Sequence, residues 1–356
     1  MIIKIDPLDT LFFRDGKPFA MGDDTWADGV FPGYPSMIYG ALRSAYFSNH
    51  LNELEKANED ADPTRNLKIK GVYLLGGDNI YLPLPNDCVQ KKDGEKDSVF
   101  ALSMHELNDI KSSCPTQSAL KSLEEFENVD GGLIDIDSLK EYLKCTKGSF
   151  SSILKVADIV LPEPKIGIGI NKKTGSTEEG KLYRVDMRRL ENKRGKGLSL
   201  IIDFEGLDLP EEGIMKLGGE GKAVSYQKFK PMNFSIDNLG SDAKGLKLYL
   251  SIPAIFKKGW LPEWIDEKTL IGEYKGLKLK LLTASIGKPI HIGGFDMKTR
   301  KPKAMRKAVP AGSVYYFKVI EGDFQKAFEI FNQTPISDFN PEQGFGITYV
   351  GGLKSV

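Results

Sequence analysis

Three stretches of the chain bring together residue types that chemistry uses, and each misses its motif at a definable position. GSTEEGKL (175–182) follows the G-x-x-x-x-G-K pattern of a phosphate-binding loop until its last place. That loop needs a Ser or Thr hydroxyl for magnesium and a helix N-terminus behind it. Leu182 offers no oxygen, Glu178 and Glu179 repel phosphate, and strand-like sequence follows, so a hairpin loop is expected. GGDN (76–79) lies between two apolar runs, where a polymerase-like palm would place paired carboxylates for two metal ions. Asn79 cannot replace the second carboxylate, and the four residues have ordinary hairpin chemistry. MGDD (21–24), with Asp28 nearby, lacks the glycine and glutamate spacing of a calcium loop and reads as solvated carboxylates.

Acid–base chemistry on RNA would call for a histidine, and the chain has His50, His105 and His291. His50 falls at the end of a helical pattern and His105 in a polar stretch. Only His291, in GKPIHIGGFD, has glycine-rich and basic neighbours, and it reads as a packed or RNA-contacting side chain. No Ser/His/Asp set is readable from spacing. Cys88, Cys114 and Cys145 form no CxxC pair and no metal-ligand spacing with histidine. Such scattered thiols suit a reducing compartment, so no metal and no cofactor are expected.

The basic residues make a different case. Lys+Arg and Asp+Glu balance at 49 each, so total charge does not point to nucleic acid, but the distribution does. Acidic residues gather in 51–62, 93–97 and 123–137, basic ones in 165–196 and 288–307. The first basic stretch carries Lys165, Lys172, Lys173, Arg184, Arg188, Arg189, Lys193, Arg194 and Lys196 among glycines. Glycine lets a backbone approach phosphate, and Lys and Arg supply the charge. The second carries Lys288, Lys298, Arg300, Lys301, Lys303, Arg306 and Lys307 against a single acid, Asp296. There Gly293-Gly294-Phe295 sets an aromatic ring on a loop, where it can stack on an unpaired base. Two more glycine loops follow the same logic: Gly218, Gly219 and Lys222 in LGGEGK (217–222), and Phe345 in GFGITY (344–349).

These residues need elements to hold them. A chain of 356 residues suggests about two domains. IIKI (2–5) starts as a strand, and Pro35 opens a helix whose apolar positions run Ile38, Ala41, Leu42, Ala45 and Tyr46 to about Asn49. The runs 67–75 and 80–85 read as a hairpin. Residues 86–160 read as an insertion, helical in pieces at Leu120–Phe126 and Ser138–Cys145, after which 183–190 completes the unit as a strand. The second half repeats the theme. Strands fall at 197–207, 223–229, 245–256, 277–287 and 313–320, and helices at 209–217 and 324–331. The expected fold is α+β: two tandem ferredoxin-like (RRM-like) domains, 1–190 and 191–356, with a helical insertion at about 86–160 and glycine-rich loops. The N-terminus has no signal-peptide pattern and no apolar run reaches membrane length, so a cytoplasmic location without membrane contact is expected.

Glycine loops across two such units resemble the RAMP proteins of CRISPR systems. IDPLDTLFFRDGKPF (5–19) and FPGYPSMIYGALRSAYF (31–47) resemble the N-terminal signature of the type III-B Cmr subunit that caps the guide RNA. PKIGIGINKKTGSTEEGKLYRVDMRRL (164–190), LGGEGKAV (217–224), GGFD (293–296) and AVPAGSVYYF (308–317) continue it in order. The resemblance covers nearly the whole chain except 51–66 and 86–160. It implies binding of the 5′ tag of the crRNA, docking on the Cas10-type large subunit, a neighbouring RAMP backbone subunit along the guide, and no catalysis. It also makes Arg14 and Arg43 secondary RNA-binding candidates, since each lies in a family motif. A RAMP endoribonuclease using His291 or His50, and a protein-only scaffold, are the alternatives.

Overall fold

The computed structural model describes residues 1–14, 26–27, 29–92, 98–107, 115–151, 153–171, 173–191, 197–230, 245–296 and 299–353. Lys172, Lys193, Arg194, Lys196, Lys298, Cys114 and the MGDD carboxylates with Asp28 lie outside the described residues.

Ile2–Pro7 alternates, so Ile3 and Ile5 turn inward. They share the larger core with Ile38, Ala41, Leu42 and Ala45, one face of the helix Pro35–Asn49, which Pro35 starts at its first turn. Leu198–Glu205 pairs antiparallel with Ile2–Pro7 on one side (Leu200 opposite Ile5) and with Lys68–Gly76 on the other (Ile201 opposite Tyr73). Ala223–Lys228 lies on the far side of Ile2–Pro7, with Tyr226 opposite Ile5. Asn79–Pro83, Gly132–Asp135 and Leu154–Lys155 extend this eight-stranded sheet at one edge, and Glu212–Lys216 closes the other.

A six-stranded sheet forms the second half. Gly245–Leu250 lies between Val314–Glu321 and Ile347–Gly352, with Leu248 opposite both Tyr315 and Val350. Leu277–Ser285 flanks Val314–Glu321, and Ile271–Tyr274 is outermost on that side. Asp323 caps the helix Phe324–Phe331 by accepting from the Lys326 N–H, and the helix buries Phe324, Ala327 and Phe331. Trp264 stacks between Phe317 and Phe331 at 5.8 and 5.9 Å.

Set the extra edge strands aside, and both sheets have the same order: fourth, first, third, second along the chain. In the first this is 223–228, 2–7, 198–205, 68–76; in the second 347–352, 245–250, 314–321, 277–285. Among the described residues the first half has its sheet-packed helix between first and second strands, the second between third and fourth. Each sheet also gives up a hairpin between its second and third strands: Val160–Ile170 with Thr177–Leu190, and the arm 290–308.

Several expected elements differ. Residues 183–190 do not join the eight-stranded sheet; they pair with 160–170 in the hairpin and with Trp26–Ala27, and Val185 and Met187 pack on Phe12. Residues 209–217 form no helix. Gly213 interrupts the pattern, and Glu212–Lys216 is an edge strand with Met215 buried and Ile214 exposed. Leu120–Phe126 is not helical either: Ser118–Lys121 and Phe126–Glu127 are strands. Among its described residues the 86–160 segment has more strand than helix, with helices at Ile136–Leu143, capped by Asp135, and Val156–Ile159. A division at 190/191 would cut the first sheet, because its strands 198–205, 212–216 and 223–228 lie beyond it.

Candidate nucleic-acid interface

Three separated segments meet at the base of the long hairpin. Leu11 exchanges both backbone hydrogen bonds with Arg188 (2.7 and 2.8 Å), so the segment after the first strand runs along the hairpin. The Gly219 N–H donates to the Phe12 carbonyl at 2.8 Å, drawing in the loop 217–222. Gly218 has φ +85°, and a Cβ there would lie 2.4 Å from the Phe12 oxygen. These glycines therefore admit the chain's own backbone on that side.

Charge converges at the same place. Lys222 Nζ donates to Asp9, Arg189 lies 3.7 Å from Asp9 and donates to Glu163 at 2.6 Å, and the Lys165 charge also acts on Asp9. The Lys222 hydrogen bond, helped by the Thr10 backbone N–H, lowers the Asp9 carboxyl to about 2. Arg188 pairs with Asp186 and donates to the Gly29 carbonyl at 3.2 Å. Arg14 is exposed and bridges Gly29. Further out, Lys173 is exposed at a turn where its N–H donates to Asn171 Oδ1 (2.9 Å), and Arg184 is half-buried opposite Ile166. Beside these cations Ile166, Ile168, Ile170 and Tyr183 are exposed, an apolar stripe that the sequence reading passed over although IGIGI announces it.

The arm forms the second basic group. Ile290–Ile292 pairs with Arg306–Ala308, and Phe295–Asp296 with Lys301–Pro302. Ile292 and Ala308 face inward, while Lys288, His291, Gly294, Phe295, Arg300, Lys301, Lys303, Arg306 and Lys307 are exposed. Gly293 is half-buried. Phe295 is 54% exposed, so its ring is open to a stacking partner. Arg306 lies 3.7 Å over the Phe339 ring. Tyr34 donates to the His291 carbonyl at 3.1 Å. One loop, 29–34, thus touches both hairpins: Arg188 at Gly29 and the arm at Tyr34.

Beneath that loop lies a largely apolar cavity of about 520 Å³, lined by Phe31, Pro32, Tyr81, Pro83, Leu133, Ile290 and others from both halves of the chain. A polar pocket of about 440 Å³, lined by Asn86, Asn128, Asp130, Ser285 and Lys288, adjoins it past Gly131. Neither is legible in the sequence, because their walls come from distant loops of both halves together with the insertion.

Some expected contacts are placed elsewhere. Phe345 is 1% exposed, packed with Tyr34, Ile255, Ile292 and Ala308, so it cannot stack on a base. Arg43 is bound to Asp62 (2.5 Å), Thr64 (2.7 Å) and Asn58 (3.0 Å), which ties the first helix to the turn after it. The His50 ring stacks 4.2 Å from that of Tyr46, with Nδ1 3.0 Å from the Tyr46 carbonyl, a helix-end arrangement that leaves it poorly placed as an acid or base. Among the described residues, no group of three His, Cys, Asp or Glu could hold a metal ion, and no helix is long and apolar enough to cross a membrane.

The family described as CRISPR-associated protein (Cas_Cmr3) matches residues 3–351. Two cryo-EM structures of type III-B Cmr-beta hold similar chains, one bound to cognate target RNA and one bound to that RNA and AMPPnP. Identities are 19% and 18%, over 89% of this chain and 86% of the other, each with a TM-score of 0.52. At these identities the likeness is one of fold. No curated protein matches the chain.

Proposed function

This chain belongs to the CRISPR-associated Cmr3 family, and from that premise we propose that it is a non-catalytic RNA-binding subunit of a cytoplasmic type III-B effector complex. It caps the 5′ tag of the crRNA and docks on the Cas10-type large subunit, with a RAMP backbone subunit as its neighbour along the guide. Each sheet, with its fourth-first-third-second order, is one ferredoxin-like unit. One observation carries the reading: equivalent positions of the two sheets project basic hairpins, and a single loop ties both together above an apolar cleft. Phosphates lie on the cations of the hairpins, and unpaired bases stack on Phe295 or enter the cleft.

Charge reversal of the arm tests this. The purified chain, alone and with the large subunit, is titrated with a tag-bearing guide and a scrambled-tag control over a salt series. Binding favours the tag, weakens with salt, and falls at least tenfold in an Arg300→Glu, Lys301→Glu, Lys303→Glu variant. Equal binding to both RNAs would mean a nonspecific scaffold. Tag-specific cleavage that His291→Ala abolishes would mean an endoribonuclease.

A further inference from the structure

The clasp at the hairpin base gathers Lys165, Arg189 and Lys222 around Asp9 and Glu163, with the Glu191 charge also acting on Arg189. The Lys222 side chain is 11% exposed and that of its partner Asp9 is 50% exposed. The carboxylate therefore stands between a nearly buried ammonium and solvent, where an incoming anion would arrive. Asp9 also sits on a short exposed turn, Leu8 and Asp9, held only at its ends: Leu8 N–H to the Ala223 carbonyl, and Leu11 to Arg188. Beside it the fully buried Thr10 hydroxyl has no hydrogen-bond partner among the described residues. A shift of the turn can therefore bring the Thr10 hydroxyl a hydrogen bond, while the arriving anion replaces Asp9 on the nearly buried Lys222.

We propose that Lys165, Arg189 and Lys222 form a site for one phosphate group of the RNA backbone, with Asp9 as its resident anion until the phosphate displaces it. The inference rests on the RNA-binding reading and adds an exchange step. Asp9 keeps the clasp assembled in the free protein, and a backbone phosphodiester, singly charged like the carboxylate, takes its place only by engaging more than one of the cations. A phosphate can accept from Lys222 and Arg189 together, as Asp9 does in part.

Asp9→Asn tests the exchange in the full chain, with a single-stranded tag RNA as the probe. Removing the competitor tightens binding by about two- to fivefold, the range set by one ion pair whose carboxylate is half exposed. In a Lys222→Met background the same substitution gives no gain. A gain that persists there would be general relief of negative charge and would overturn the site. Unchanged or weaker binding by Asp9→Asn, while charge reversal of the arm still costs tenfold, overturns the exchange and leaves the RNA reading standing. If neither variant alters binding, both fail. Thermal unfolding of each variant identifies any loss that comes from misfolding, and an Asp9→Asn protein that both melts early and binds weakly marks Asp9 as a structural strut, against the proposal.

Discussion

At the scale of single residues, an arginine in a family motif and an arginine in a salt bridge look the same in sequence. Arg43 separates them in the structure. Its guanidinium contacts Asp62, Thr64 and Asn58, and Asp62 is 7% exposed. Arg43→Ala leaves a nearly buried carboxylate with its hydrogen bonds from Asn58 and Thr64 but without its counter-charge, so stability falls by about 2 kcal/mol while RNA affinity stays within twofold. Urea unfolding and RNA titration of the same variant check both halves. A severalfold loss of binding at unchanged stability would return Arg43 to the RNA surface. Much of the candidate site was legible at this scale, since a run such as RKPKAMRK (300–307) has too few apolar residues to be buried. Phe345 and Asp9 were not. A glycine–aromatic motif does not say which way its ring points, and a lone aspartate shows its cationic partner only after 165, 189 and 222 have folded onto it.

At the scale of elements, local alternation located most strands of the two four-stranded cores, though not Ile347–Gly352. Ile2–Pro7, Lys68–Gly76, Leu277–Ser285 and Val314–Glu321 lie where their patterns put them, as does the helix Pro35–Asn49. What alternation cannot specify is the partner. Leu198–Glu205 inserts between strands more than a hundred residues earlier, and a sequence reading that joins neighbours assigns 183–190 to that place. The error has a testable consequence. Beyond Val185 and Met187 the hairpin exposes Ile166, Ile168, Ile170 and Tyr183, so its outer part adds little to any core. Residues 167–183 can be replaced by Asn-Gly, which joins the cross-strand pair Ile166 and Arg184 by a two-residue turn. The shortened protein melts within a few degrees of the parent (about 1 kcal/mol or less). It binds RNA more weakly, with a shallower salt dependence, because Lys172, Lys173 and Lys181 are gone. Unfolding of the first sheet on this deletion would show that the hairpin is structural.

At the scale of the whole molecule, the two units are joined by tyrosine hydroxyls, and this seam holds the two hairpins in a fixed relation. Tyr73 and Tyr349 share a hydrogen bond of 2.6 Å across the units, and Tyr249 donates to the Pro83 carbonyl. Tyr142, from the insertion, and Tyr316, from the second sheet, both donate to Asp87, which is fully buried. Lys247 lies 3.4 Å over the Tyr142 ring, so the insertion is a keystone between the units and not an appendage. Burial raises all five phenols above their ordinary 10, since an ionised phenolate inside would lack solvation. A group whose folded value is raised contributes stability that is complete below its unfolded value and is lost as pH climbs past it. Each protected tyrosine therefore forfeits about 1.4 kcal/mol by pH 11. Five together forfeit an amount comparable with the whole stability of a domain. The protein is thus expected to hold its fold to about pH 10 and to unfold cooperatively within roughly the next pH unit. Tyrosinate absorbance should rise in two steps, the seam phenols ionising only with the loss of ellipticity. A single smooth titration near 10 with the fold intact would mean that the seam is open to water, and the two hairpins would then be free to move apart.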